Sequence, residues 1–205
     1  VDKNLINIIN KYNGYYLDGI KENETIIEDL PEVVENGTVL KIYYKKRNDL
    51  SYIVNYLEKG TETVLLQAKN VENQVFGTEI HSADEIINID GYTFESADKE
   101  ILTIGTAENV INLYYTKRDD LTYTVNYLEL GTNTVLHVKK IIENQVFKTE
   151  INAADEVIEI TGYTYDSTNP EKLIIGTGEN IINIYYTKLS GLSYTVNYLE
   201  LGTDE

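Results

Sequence analysis

The chain of 205 residues has no cysteine, methionine or tryptophan, only two prolines and two histidines, and half as many basic side chains (17) as acidic ones (34). Without cysteine there are no disulfides and no thiolate metal sites. That absence suits the cytosol, and equally an exported protein of a bacterium that does not use disulfides. A formal net charge of −17 disfavours nucleic acid, because affinity for a phosphate backbone needs clustered Lys and Arg to release counterions. It disfavours charge-driven association with anionic lipid for the same reason. No apolar run approaches the ~20 residues of a membrane span, and no signal-peptide pattern occurs. The expectation is therefore no nucleic-acid partner and no direct membrane insertion. At 42% hydrophobic residues the chain still has enough apolar material to escape disorder by composition.

Instead of special residues the chain has repetition. Leu50-Ser51-Tyr52-Ile53-Val54-Asn55-Tyr56-Leu57-Glu58 returns as Leu121 to Glu129 and again as Leu192 to Glu200, each time 71 residues on. Residues 50–120 align with 121–191 without a gap, and about 43 of the 71 positions are identical. A unit of this length can bury a core of its own, near the lower limit for a domain. The expected division is 1–49, a partial repeat lacking its first strand; 50–120 and 121–191, two complete repeats; and 192–205, the first strand of a further repeat. Asn13-Gly14-Tyr15 stands where Asp90-Gly91-Tyr92 and Thr161-Gly162-Tyr163 stand, with about six extra residues before Tyr43-Tyr44. The chain reads as a piece of a longer protein, cut in mid-repeat at both ends.

Period-2 alternation is strongest where each unit opens and closes. Tyr123, Val125 and Tyr127 share one face, predicted to be core, while Thr124 and Asn126 share the other. Near the end of each unit Ile111, Leu113 and Tyr115 alternate with Val110, Asn112 and Tyr114, so each double tyrosine sends one ring in and one out. Gly131-Thr132 marks a turn, and Thr134-Val135-Leu136 is predicted as a second strand. Residues 149–158, like 78–87, suit a short helix or helical turn. The order β-β-short α-β-β suggests a small mixed sheet on one short helix, the β-grasp (ubiquitin-like) arrangement. The fold class is thus α+β and β-rich: tandem β-grasp-like domains in an elongated rod. The connection Thr116-Lys117-Arg118-Asp119-Asp120 has no Gly/Ser/Pro-rich stretch, which predicts little bending between units.

These segments resemble the mucin-binding-protein (MucBP) type repeats of Gram-positive bacterial surface proteins. The likeness lies in the opening strand Tyr123 to Glu129, the mid-unit Gly162-Tyr163-Thr164, and the closing run from Ile175-Gly176 through Asn180 to Lys188. It covers nearly the whole chain. It implies a β-grasp-like fold, an extracellular, cell-wall-attached adhesin, and contact with host glycoproteins or mucin glycans. No LPxTG-type anchor occurs; Leu30-Pro31-Glu32-Val33-Val34 does not match it.

The repeat also tests candidate sites, since an essential residue should recur one period away. His81 and His137 stand where the sister units have Asn152 and Leu66, so a triad with a histidine base is unsupported. No enzymatic role and no cofactor are expected. Asp84-Glu85 and Asp155-Glu156 recur, and read as the solvated face of a short helix. No calcium loop is present, and the first strand has no recurring lysine for an isopeptide bond. Asn73-Gln74 and Asn144-Gln145, after Glu72 and Glu143, are expected to form a turn, with sugar binding as the alternative. Outward Tyr114 and Tyr185 could stack on a sugar ring, with Asn112 and Asn183 donating beside them; the alternative is a cross-strand aromatic pair. The remaining expectation concerns the ends. The extra residues near 20–35 are predicted to cover the place of the missing strand in 1–49 while 192–205 frays. The alternative is head-to-tail self-association through strand 192–199.

Overall fold

Alternation of Tyr52, Val54 and Tyr56 with Ile53, Asn55 and Leu57 makes the opening segment an amphipathic strand, and its apolar face is buried throughout. The computed structural model describes residues 12–198 and 201–202, within two compact units, Val1–Thr116 and Lys117–Glu205. In the first unit the strands are β1 (Tyr15–Glu22), β2 (Thr25–Ile27), β3 (Leu40–Lys46), β4 (Leu50–Glu58), β5 (Val64–Gln74), β6 (Glu79–His81), β7 (Tyr92–Ala97), β8 (Ile101–Thr103) and β9 (Val110–Lys117). A 3-10 turn, Ser82–Glu85, follows β6. Strands β4 and β9 pair in parallel at the centre of a four-stranded sheet ordered β5-β4-β9-β7, and β6 pairs with β8 in a second, two-stranded sheet.

The second unit repeats this pattern. It contains β10 (Leu121–Glu129), β11 (Val135–Gln145), β12 (Glu150–Asn152), the 3-10 turn Ala153–Glu156, β13 (Tyr163–Asn169), β14 (Lys172–Ile174) and β15 (Ile181–Lys188). Its main sheet is ordered β11-β10-β15-β13 with β10 and β15 parallel. The fold is β-rich. Its core comprises Leu121, Tyr123, Val125 and Tyr127 from β10, Ile182, Ile184 and Tyr186 from β15, and Ala153 and Ile175 from the smaller layer. Burying each large side chain contributes roughly 1.5–3 kcal/mol, so the two central strands supply most of the unit's stability.

The pattern misjudges the extent of two elements. The second strand extends over Val135–Gln145, far beyond the predicted Thr134-Val135-Leu136, and its counterpart is Val64–Gln74. It lies at the sheet edge with most side chains exposed, so burial imposes no alternation on it. Its register against β10 also shifts three times. The short helix or helical turn predicted over 149–158 is present as the four-residue 3-10 turn Ala153–Glu156, but a strand, Glu150–Asn152, precedes it. The backbone of 150–152 pairs with 172–174 rather than coiling.

In the partial repeat, β1 and β3 pair antiparallel and β2 adds to β1, giving the order β2-β1-β3. The extra residues therefore lengthen the sheet on the far side of β1. They do not occupy the place beside β3 where β4 sits against β9, which corrects the expectation that they cover it. Residues 1–11 lie outside the described residues. From Leu189 to Tyr198 the chain has no strand pairing, and Leu192, Tyr194, Val196 and Tyr198 are exposed. Leu199 and Glu200 lie outside the described residues.

Candidate functional site

The outward tyrosines come first. Alternation on β9 buries Ile111, Leu113 and Tyr115 and leaves Asn112 and Tyr114 half-buried on the opposite face, two residues apart. The β4–β5 turn and β7 flank them, so Tyr114 borders an open groove of about 510 Å³ with Lys59, Thr61, Glu62 and Ser96. Asn112 does not serve that groove. Its Oδ1 accepts from Asn55 Nδ2 at 2.8 Å, and its Nδ2 donates to Asp98 Oδ2 at 3.1 Å. In the second unit Asn183 accepts from Asn126 Nδ2 at 2.9 Å, and Tyr185 is again half-buried. Lys59 pairs with Glu95. The four predicted residues thus share a face within each unit, but the asparagines tie the two central strands together rather than pointing at a ligand.

A second cluster lies on the buried side. Glu85, expected in a solvated face, is buried: its Oε1 accepts from Tyr52 at 2.8 Å and its Oε2 from Lys69 Nζ at 2.5 Å. The copy has Tyr123 and Lys140 on Glu156, at 2.8 and 2.6 Å. A four-residue turn packed on the sheet has no free face for both carboxylates, so the second of each pair turns inward. Burial, reinforced by the neighbouring carboxylate, pushes the Tyr52 and Tyr123 hydroxyls up to about 12. These phenols stay protonated at neutral pH, as donors rather than bases. Tyr115 donates to Ile87 O at 3.0 Å and accepts from Ile87 N at 3.2 Å, and Tyr186 does the same with Ile158. The signal for this cluster was the joint recurrence of Tyr52, Lys69 and Glu85 one period on.

Asn73 and Asn144 adopt positive φ (58° and 57°), with Gln74 and Gln145 Nε2 donating to the Glu72 and Glu143 carbonyls at 3.0 and 2.9 Å. They sit where the edge strand gains a residue opposite Ser51 and Thr122, so each trio forms a bulge. His137 Nδ1 faces Val138 O at 3.0 Å, and the ring packs edge-on against Tyr127. Among the described residues no group of three or more His, Asp and Glu is placed to hold a metal ion.

The third arrangement was not anticipated. At the turn Val75–Thr78, closed by Thr78 N donating to Val75 O at 3.1 Å, Phe76 N donates to Arg47 O at 2.8 Å. The Phe76 ring meets Tyr15 edge-on at 5.5 Å. It also covers Gly14, where an added Cβ would lie 2.5 Å from the ring. Arg47 N donates to Gly14 O at 2.9 Å. The Arg47 guanidinium bonds both Asp49 oxygens at 2.9 Å and lies over the Tyr16 ring. Those bonds hold the Asp49 carboxyl well below the usual carboxylate range. This seat fixes the partial repeat, whose described residues include one buried large hydrophobic residue, Ile20, to the complete one.

No family model and no curated protein matches the chain. Among solved structures, Mub-RV aligns at 13% identity over 68% of this chain and 98% of that chain, with a TM-score of 0.26. Domains 3-4 of the Streptococcal High Identity Repeats in Tandem (SHIRT), from a cell surface protein, align at 12% identity over 67% and 98%, with a TM-score of 0.27. Superpositions at these TM-scores carry no argument about fold or activity.

Proposed function

We propose that the chain is a stalk segment of a Gram-positive bacterial surface adhesin, built of tandem β-grasp-like units that project a distal binding domain from the cell wall. The observation that supports it best is where the recurring polar residues go. Tyr52, Lys69, Glu85, Asn109 and Asn112 all return one period on, and each is hydrogen-bonded or ion-paired inside its own unit. What is repeated is therefore the machinery of folding, as a spacer requires. The β-grasp reading draws on the central parallel pair of first and last strands. The resemblance to MucBP-type repeats supports extracellular display, and no helix among the described residues is long and apolar enough to cross a membrane. No enzymatic role, cofactor or nucleic-acid partner belongs to this reading.

A rod makes a measurable demand. Chains lengthened by one and two copies of 121–191 should gain a constant step of ~25–45 Å each in maximum dimension by small-angle scattering, given a radius of gyration of ~11 Å per unit. A compact particle, or a step that shrinks with copy number, refutes it. The second reading, weak multivalent binding of mucin-type glycans or host glycoproteins, is favoured by the groove beside Tyr114, where an aromatic ring stands near the Thr61 and Ser96 hydroxyls. Saturable, salt-tolerant retention on immobilised mucin, lost in the Tyr114→Ala and Tyr185→Ala double variant, would establish that reading in place of the spacer.

A further inference from the structure

The Phe76 seat has an open counterpart. In the second unit Gly162 stands for Gly14, Tyr163 for Tyr15 and Leu189 for Arg47. The backbone is the same: φ is +84° at Gly162 against +82° at Gly14, and Leu189 N donates to Gly162 O at 2.8 Å as Arg47 N donates to Gly14 O. The occupancy differs. A Cβ built on Gly162 has nothing within 4 Å, whereas at Gly14 it would strike the Phe76 ring. The space is a cavity of about 620 Å³, lined by Ile158, Ile160, Gly162, Tyr163, Tyr186 and Leu189 among others.

We propose that this cavity is a docking socket for the phenylalanine-bearing turn of a further copy of the repeat unit. Three observations select that occupant. The equivalent seat in the same chain holds such a turn, with the ring on the glycine and the phenylalanine N–H on the following carbonyl. The second copy of the unit builds the same turn at Val146-Phe147-Lys148-Thr149, closed by Thr149 N donating to Val146 O at 3.1 Å, so the turn is a property of the unit. Finally, Leu192 follows Leu189 at the spacing by which Leu50 follows Arg47, and Leu192 to Glu200 repeats Leu50 to Glu58. A unit begun at Leu192 is thereby in frame to bring its turn back to Gly162. The lining also fits. Leu189 and Thr164 replace Arg47 and Tyr16, so the cation held over an aromatic ring in the first seat gives way to an aliphatic wall that suits a phenyl ring. The socket goes beyond the spacer reading, because it names a specific contact that holds wherever the protein is displayed.

The test extends the full chain after Glu205 with a copy of residues 135–191, which completes a third unit, and follows backbone amide resonances and hydrogen exchange. The Gly162, Tyr163 and Leu189 amides are expected to shift, and their exchange to slow at least ten-fold, when the third unit is present. Replacing the added copy's phenylalanine by alanine should return them to their values in the unextended chain while the third unit stays folded. Phe76→Ala should release the Tyr15 amide in the same way. The proposal is overturned if the Gly162, Tyr163 and Leu189 amides are indifferent to the third unit, if they respond equally with alanine in place of its phenylalanine, or if Phe76→Ala leaves Tyr15 unchanged.

Discussion

With 18 tyrosines against three phenylalanines, this chain builds its core from aromatic rings that each bring a hydroxyl to satisfy. Among the described residues no buried side-chain nitrogen or oxygen lacks a partner, and the hydroxyls of Tyr52, Tyr115, Tyr123 and Tyr186 are part of that balance. Each bolts a strand to the 3-10 turn or the segment after it. The bolts hold only while the phenols are protonated. Unfolded tyrosine ionises near pH 10. Burial raises Tyr52 and Tyr123 to about 12, and also raises Tyr56, Tyr115, Tyr127 and Tyr186. A folded pKa above the unfolded one means that this contribution is complete below pH 10 and is lost as the pH climbs toward 12. The thermal midpoint should therefore be insensitive to tyrosine ionisation between pH 8 and 9.5 and fall steeply between pH 10 and 12. The variant Tyr52→Phe, Tyr123→Phe should show a shallower alkaline fall from a lower starting midpoint, because Glu85 and Glu156 each lose a donor. A midpoint level through pH 12 in the parent chain would refute the argument.

At the scale of elements, the two central parallel strands meet at a loop held by one side chain. Asn180 Nδ2 donates to Thr122 O and to Gly176 O, both at 3.0 Å, while its Oδ1 accepts from Gly176 N at 2.8 Å. The amide thus ties the start of β10 to the loop that leads into β15, and Asn109 does the same with Ser51 and Gly105. Asn180→Ala leaves buried backbone groups unpaired, at about 1–3 kcal/mol each. It should lower the second unit's midpoint by more than 10 °C and speed amide exchange first at Thr124 and Gly176; exchange that accelerates uniformly across the unit would contradict the clamp. The sequence showed Asn109 and Asn180 as recurring residues but not as clamps, because every partner is a backbone group and the ones that tie the strands together, Ser51 O and Thr122 O, lie 58 positions away. The opening and closing strands were legible because each has one buried and one open face, which forces alternation on Tyr123-Val125-Tyr127 and Ile111-Leu113-Tyr115. The edge strand β11 was not, since neither of its faces is fully buried and a bulge at Asn144 breaks its period. For the candidate site, the pattern correctly put Tyr114 and Asn112 on one face but gave no sign that Asp98 and Asn55 occupy the Asn112 amide. Phe76 recurs as Phe147, yet its partner is a glycine, which leaves no side chain in the sequence to suggest a contact.

On the scale of the whole molecule, a net charge of −17 favours solubility and opposes compaction, so the chain's stability has to come from its cores. Each unit has a core of its own. Val54, Ile111, Leu113 and Tyr115 are fully buried in the unit Val1–Thr116, and Val125, Ile182, Ile184 and Tyr186 in Lys117–Glu205. Val125 sits at the centre of the second core with no exposed surface, and the basic residue opposite it in register, Lys140, is already ion-paired with Glu156 at 2.6 Å. Val125→Asp therefore buries a carboxylate without a partner, a cost of several kcal/mol against the ~5–15 kcal/mol that a whole domain commands. The second unit should unfold at 25 °C. The first has its own hydrogen-bonded sheet and the Phe76 seat to hold 12–49, and it should persist. In a heteronuclear correlation spectrum the amides of 50–110 are expected to keep their dispersion while those of 121–188 collapse toward random-coil positions, and heating should then melt the first unit alone. Loss of dispersion over the entire chain would mean that the units fold as one cooperative body.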